Sequence, residues 1–227
     1  MKLFLLTAAT VCMLTLSGCM SISEPPEPEM KAKFAAETNL KLDGFQLYSV
    51  REKQNAGYAC SIGYDFTNDK WLTLGNSYTG TTYERMIDDK FPPLVKDVFE
   101  SAGANIRSKA PQFTIEGRIG EGRYIWSNPA MWYRDIPVFV VSFCTLGMVL
   151  THERENDVKL IVYNKDGKRL KEYSATERCY TSSWGLPLAY LLNEKSRTWY
   201  CDRMAAKFAL IKCVNNFIRD SNRGFFK

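Results

Sequence analysis

The feature that most constrains the fold of this chain is a turn. Asn164-Lys165-Asp166-Gly167 separates two strand-like runs, Val158 to Tyr163 and Lys168 to Ala175. An Asp-Gly pair tolerates the positive φ of a tight hairpin, so the two runs are expected to pair antiparallel. The rest of the chain must then extend or cover that sheet. Tyr58, Cys60, Ile62, Tyr64 and Phe66 alternate with smaller and polar residues, the period of a strand with one buried face. Thr67-Asn68-Asp69 supplies turn chemistry, and Trp71-Leu72-Thr73-Leu74 reads as the returning strand of a second hairpin. Phe113, Ile115, Gly117 and Ile119 mark another strand, and Phe45, Leu47 and Val50 a first short one in a domain starting near Leu40. The glycines at 117, 120 and 122 lie in this strand pattern with no helix immediately after them and no Walker-type lysine. They are expected to make a bulge or sharp bend, and a phosphate loop is not supported.

Two helices complete the plan. Thr81 and Glu84 have capping-box spacing, and Ile87, Phe91, Leu94, Val95, Val98, Phe99 and Ala102 recur at three- and four-residue steps. Pro92-Pro93 interrupts that stripe and predicts a kink or a fresh helix start, while Gly103 is placed for a left-handed cap. A last helix is expected from about Thr198 to Asp220, with Met204, Phe208, Ile211, Val214, Phe217 and Ile218 on its apolar side. The predicted class is α+β: a mainly antiparallel sheet with two helices on one face, plus apolar inserted segments. A hydrophobic fraction of 45% in 227 residues suits a folded domain with a real core.

The N-terminus addresses the chain. Lys2 precedes an apolar run from Leu3 to Leu16, with the charged start and short hydrophobic middle of a secretory signal. Leu16-Ser17-Gly18-Cys19 then resembles the lipobox of bacterial lipoproteins. That resemblance implies a signal peptide over residues 1–18, cleavage before Cys19 and acylation of its sulfur. It also implies attachment to the membrane through the N-terminal lipid. Met20, where aspartate favours inner-membrane retention in that family, implies the periplasmic face of the outer membrane. Residues 19–39 follow as a lipidated, Pro/Glu-rich stretch, with Pro25, Pro26 and Pro28 among Glu24, Glu27 and Glu29, expected to act as an extended tether. Residues 40–227 are expected to form one periplasmic domain. Its order of elements is similar to that of small envelope lipoproteins, such as the lipopolysaccharide-assembly plug and the auxiliary lipoproteins of ABC-type transporters.

Of seven cysteines, Cys12 leaves with the signal and Cys19 takes the lipid, which leaves Cys60, Cys144, Cys179, Cys201 and Cys213 for an oxidising compartment. Cys179 and Cys201 bracket a short apolar segment and are the best candidate disulfide; Cys60 with Cys213 is the second choice. The cysteine spacing is not that of a zinc knuckle and His152 stands alone, so neither a metal nor another cofactor is expected. A net charge of +5 is mild, and with export it argues against nucleic acid as a partner.

Two stretches fall outside the simple plan. Residues 136–150 and 183–192 are rich in large apolar side chains and bracket the Asp166-Gly167 hairpin. Their readings are buried core, or a surface for membrane or partner contact led by Phe139, Phe143, Leu146, Trp184 and Leu188. Fifteen residues at about 1.5 Å each reach roughly 22 Å, short of a hydrocarbon core of about 30 Å, so shallow insertion is favoured over spanning. Catalysis is not expected: the chain offers only His152 as a base, in Thr151-His152-Glu153-Arg154 beside the end of the apolar run, and no serine elbow or selectable carboxylate pair is present. The functional expectation is a non-catalytic accessory or structural part of an outer-membrane assembly with an envelope protein partner. The alternative is a module that binds lipid or glycolipid through the apolar segments and the basic last helix.

Overall fold

The computed structural model describes residues 21–23, 26, 28–51, 58–73, 89–106, 109–120, 148–185, 193 and 198–226. In chain order the elements are β1 (Ser21–Ser23), β2 (Thr38–Arg51), β3 (Tyr58–Asp65), β4 (Lys70–Thr73), α1 (Phe91–Ser101), β5 (Ala104–Ile106), β6 (Phe113–Ile119), β7 (Met148–Asn164), β8 (Arg169–Gly185) and α2 (Thr198–Asn222). The strands form one sheet in the order β1-β8-β7-β6-β2-β3-β4, with β5 also pairing β2. Pairing is antiparallel except where β2 runs parallel to β5 and β6. The class is α+β, with both helices packed on the sheet, as the periodicities predict.

The chain separates into two compact units: Met1–Pro26 with Trp126–Arg154 and Cys179–Asp202, and Glu27–Ile125 with Glu155–Arg178 and Arg203–Lys227. The second unit holds the large hydrophobic core. Leu40, Leu42, Phe45, Ile115, Val158, Leu160 and Val162 rise from the sheet to meet Val95, Val98 and Phe99 of α1 and Leu210, Val214, Phe217 and Ile218 of α2. The α2 face is broader than the expected stripe, because Ala205, Ala206, Ala209 and Cys213 are also buried while Phe208 is only half-buried. Small residues there let the helix lie close to the sheet. Phe217 sits at the centre, with Phe113 edge-on at 5.5 Å and Phe34 at 5.6 Å between ring centroids.

The local signals act as their chemistry demands. Proline in the first turn makes Phe91 a fresh helix start, since a missing N–H costs nothing there. Gly103 follows α1 at φ 85° and its N–H donates to Glu100 O at 2.8 Å. Gly167 takes φ 77° in the β7–β8 turn, where Asn164 Oδ1 accepts from the N–H of Asp166 and Lys168 at 3.0 and 2.8 Å. The capping-box pair Thr81 and Glu84 lies outside the described residues.

Two expectations are corrected. Gly117 is not a bulge: it lies in regular β6 opposite Phe45, and a Cβ at that position would come within 2.0 Å of the Phe45 ring. The irregularity is in β2, where register shifts between Leu42 and Gly44. The polar stretch expected to be a spacer is docked from Met30 onward. Met30, Ala32 and Phe34 pack on the core, Phe34 N–H donates to Ala102 O at 3.1 Å, and Ala32 N–H donates to Asn215 Oδ1 at 3.2 Å. Their spacing of two turns the apolar residues inward and Lys31 and Lys33 outward.

Gly117→Ala is expected to destabilise the protein by about 1–3 kcal/mol through overpacking, measured by urea unfolding. Adding Phe45→Leu should reduce the cost of that methyl group; an equal cost in both backgrounds would show that the ring is not the obstacle.

Candidate functional site

The polar and reactive side chains gather in two places, one in each unit. In the unit that contains the N-terminus, β8 places Cys179 and Thr181 on one face, because alternate strand residues point the same way. Both are buried, and so is Cys201 in the first turn of α2. Thr181 Oγ1 lies 3.0 Å from Cys201 Sγ. A hydrogen bond with the Cys179 side chain, assisted by Thr181, outweighs burial and holds the Cys201 thiol below its ordinary range. The expected pair is thus brought together, with both sulfurs present as thiols.

Asp202, the next residue of α2, faces Arg154 of β7, with Nε 3.4 Å from Oδ1. Desolvation pushes the Asp202 carboxyl up from 3.8 to about 6, against the opposing pull of Arg154. The side chain keeps 49% of its surface exposed, so solvent screens much of the energetic consequence. No local pattern marks this ion pair, whose partners are far apart in sequence.

In the other unit, Asp43, Gly44, Gln46, Gly63, Glu116 and Arg118 line a depression of ≈ 390 Å³ on the sheet. Its carboxylates are already engaged. Lys41 lies 2.6 Å from Asp43, Tyr163 OH donates to Glu116 at 2.9 Å, and Asp65 accepts from the side chain of Asn68 at 2.7 Å and the N–H of Thr67 at 2.8 Å. The Asn68 side chain, with those backbone donors, holds Asp65 below its usual range. These contacts serve turns and strand pairing.

Two basic positions of α2 are likewise engaged within the fold. Lys212 binds Glu177 at 2.6 Å, and Arg219 donates to Asn216 at 3.0 Å. Asp220 of the same helix is bound by Lys171 at 2.7 Å and by Tyr173 OH at 2.9 Å. The Lys171 hydrogen bond, with that of Tyr173, holds Asp220 below its usual range. Burial and the same hydrogen bond raise the Tyr173 hydroxyl.

Of the residues singled out in the sequence, Cys19, Phe139, Phe143, Leu146 and Leu188 lie outside the described residues. Trp184 is placed by its backbone: it belongs to β8, opposite Ser21 of β1, with Ile22 opposite Ser183 and Ser23 opposite Ser182. Ser21–Ser23 are therefore an edge strand on the start of the second apolar segment. β7 and β8 also run farther than their alternating cores suggested. Each has 17 residues from a common turn, which brings Met148 and Gly185 to the same end of the hairpin. The end of one apolar segment and the start of the other are thus strand. Among the described residues, no helix is long and apolar enough to cross a membrane, and no group of three or more side chains is placed to hold a metal.

Residues 5–43 match the family model of TraN of the P-type type IV secretion system, a match confined to the N-terminal apolar run, the Pro/Glu-rich stretch and the start of β2. No curated protein matches the chain. Among solved structures, a PelC dodecamer from Paraburkholderia phytofirmans is similar at 11% identity and a TM-score of 0.30, over 87% of this chain and 95% of that one. A protein from Xanthomonas campestris is similar at 8% identity and a TM-score of 0.33, over 84% and 87% of the respective chains.

The Asp202 carboxyl gives a signed pH dependence. Its pKa is higher in the folded chain than in the unfolded one, so between about pH 3.8 and 6 the folded state binds more protons. The stability this group contributes is present below that window and falls as pH rises through it. Unfolding midpoints of Asp202→Asn should lose this slope relative to the natural chain. Parallel profiles for the two proteins would refute the assignment.

Proposed function

We propose that the protein is a lipid-anchored lipoprotein of the bacterial envelope, held at the periplasmic face of the outer membrane, and that it serves there as a non-catalytic accessory part of a larger assembly. The observation that carries this reading is the pairing of Ser21–Ser23 with Ser182–Trp184. Cys19 precedes Ser21 by two residues, an extended reach of about 7 Å. An acyl group on its sulfur enters the bilayer next to the strand that leads into residues 183–192. Acyl chains give about 0.8 kcal/mol per buried methylene, so several on one residue make the attachment effectively permanent. Tryptophan and tyrosine favour the membrane interface, which suits Trp184 and Tyr190 in that segment.

Three further points support an accessory role over a chemical or carrier one. The carboxylates of the sheet depression and the basic residues Lys212 and Arg219 of α2 are engaged within the fold. A glycolipid reading that relies on the basic helix therefore loses two of its cations. The match over residues 5–43 is to a family named for a secretion system, which supports a part in a larger assembly.

Labelled palmitate should enter the protein in cells, and Cys19→Ala should abolish both the label and sedimentation with outer membranes. Persistence of the label in that variant would sink the anchor. Cross-linking in intact cells should recover one stoichiometric envelope protein; extractable lipid without a protein partner would replace the accessory role with lipid carriage.

A further inference from the structure

Anchoring at Cys19 leaves the buried thiols of β8 and α2 without a role. Cys179 and Cys201 are fully buried, their side chains hydrogen bond, and Thr181 holds the Cys201 sulfur at 3.0 Å. They are contributed by different elements, so a bond between them would fasten the first turn of the last helix to the longest hairpin. A disulfide needs Cβ atoms about 3.5–4.5 Å apart, a separation compatible with hydrogen-bonded thiols.

We propose that Cys179 and Cys201 are joined by a disulfide when the chain folds in an oxidising compartment, and that this bond clamps both ends of the apolar segment 183–192. The clamp follows from chain order, because the segment lies wholly inside the loop that the bond closes. The oxidant is a protein disulfide of the thiol–disulfide oxidoreductase class. One cysteine thiolate attacks a sulfur of that disulfide, forming a mixed disulfide and releasing one thiolate of the oxidant. The second cysteine thiolate attacks the mixed disulfide at the first cysteine, which forms the internal S–S bond and expels the other thiolate. Two electrons leave with the oxidant, which becomes a dithiol on taking up the two protons.

Burial orders the events. Neither sulfur is accessible once α2 lies against β8, so exchange takes place while that turn is open, and closure then shields the bond from reductants. Cys213 is the internal reference. It is equally buried, its Sγ contacts Val158 O at 3.5 Å, and burial pushes its thiol up to about 12.

The bond itself is independent of the anchor, but its formation in cells rests on the export proposed above, and two measurements separate these. The first takes full-length protein, reduced and unfolded, refolds it in oxidised and reduced glutathione, quenches exchange with acid, blocks thiols with N-ethylmaleimide in denaturant so that buried sulfurs react, and maps the non-reduced peptides. A cross-linked peptide containing Cys179 and Cys201, with Cys213 alkylated, is expected. Alkylation of both residues, or a bridge from either one to Cys60 or Cys144, overturns the proposal. Reduction of the bridged protein should lower the Tm by roughly 6–12 °C, the consequence of opening a loop of this length. Cys179→Ser should show no such shift, and its Cys201 should be recovered alkylated after blocking in denaturant. The second measurement maps protein taken directly from cells. The same cross-link there supports both proposals, whereas a bridge that forms in glutathione but is missing from cells upholds the pairing and removes export.

Discussion

The register of the β7–β8 hairpin is the constraint on which the other arrangements depend. Side chains on a strand alternate between faces, so a single register decides which residues enter the core along its whole length. With Gly167 fixing the turn, Val158, Leu160 and Val162 of β7 and Tyr173 of β8 face the buried side. The same alternation carried along β8 puts Lys171 and Glu177 in reach of Asp220 and Lys212 on α2, and then Cys179 and Thr181 on the buried side near the far end. A slip of one residue would exchange this set for Glu172, Ser174, Thr176, Arg178 and Tyr180. Charged residues would then replace the groups that now pack or pair, so the alternative register is strongly disfavoured.

The second dependence is on Phe217. Phe34, Phe113, Tyr173 and Phe226 all stand within 6.1 Å of its ring centre, and they come from the N-terminal stretch, β6, β8 and the C-terminus. The two edge-to-face pairs, with Phe34 and Phe113, each add about 0.5–1.5 kcal/mol beyond their burial, while Tyr173 and Phe226 are tilted. The arrangement couples the beginning of the described core to its end, since Phe34 cannot dock before α2 is in place. Asn222 Nδ2 donates to Lys33 O at 2.8 Å, and Asn222 Oδ1 accepts from Ala35 N–H at 2.9 Å, which closes the same seam with hydrogen bonds.

Much of the fold was legible because its signals are local. The alternation from Tyr58 to Phe66, the Asn68-Asp69 turn, Asp166-Gly167, Pro92-Pro93 and Gly103 each state a backbone requirement within a few residues, and each is met. What could not be read depends on partners distant in sequence. Gly117 is explained only by Phe45 across the sheet. Met30, Ala32 and Phe34 are separated by lysines and follow three prolines, so their period of two was masked by composition until α1 and α2 supplied a surface for them. The candidate site divides in the same way. Cys179 and Cys201 were paired from their positions at a strand end and a helix start, but Arg154 and Asp202 carry no sequence signal for each other. The extension of β7 and β8 was concealed because apolar runs at a strand end look the same whether they continue the sheet or leave it.

On the proposed anchoring at Cys19, the short β1 strand would connect the lipid to this architecture. Three residues offer few backbone hydrogen bonds, each contributing about 0.5–1.5 kcal/mol net, which barely offsets the entropy of ordering them. On its own such a strand is marginal. Fixing Cys19 in a bilayer removes much of the freedom that β1 would otherwise lose on pairing, so attachment and strand addition reinforce one another. The gain is reciprocal: β1 occupies part of the edge of β8 from Ser182 to Trp184, an edge that would otherwise present backbone donors and acceptors to other chains. On the anchored reading, the lipid therefore positions the protein and also helps to close its sheet where the strand leads into the second apolar segment.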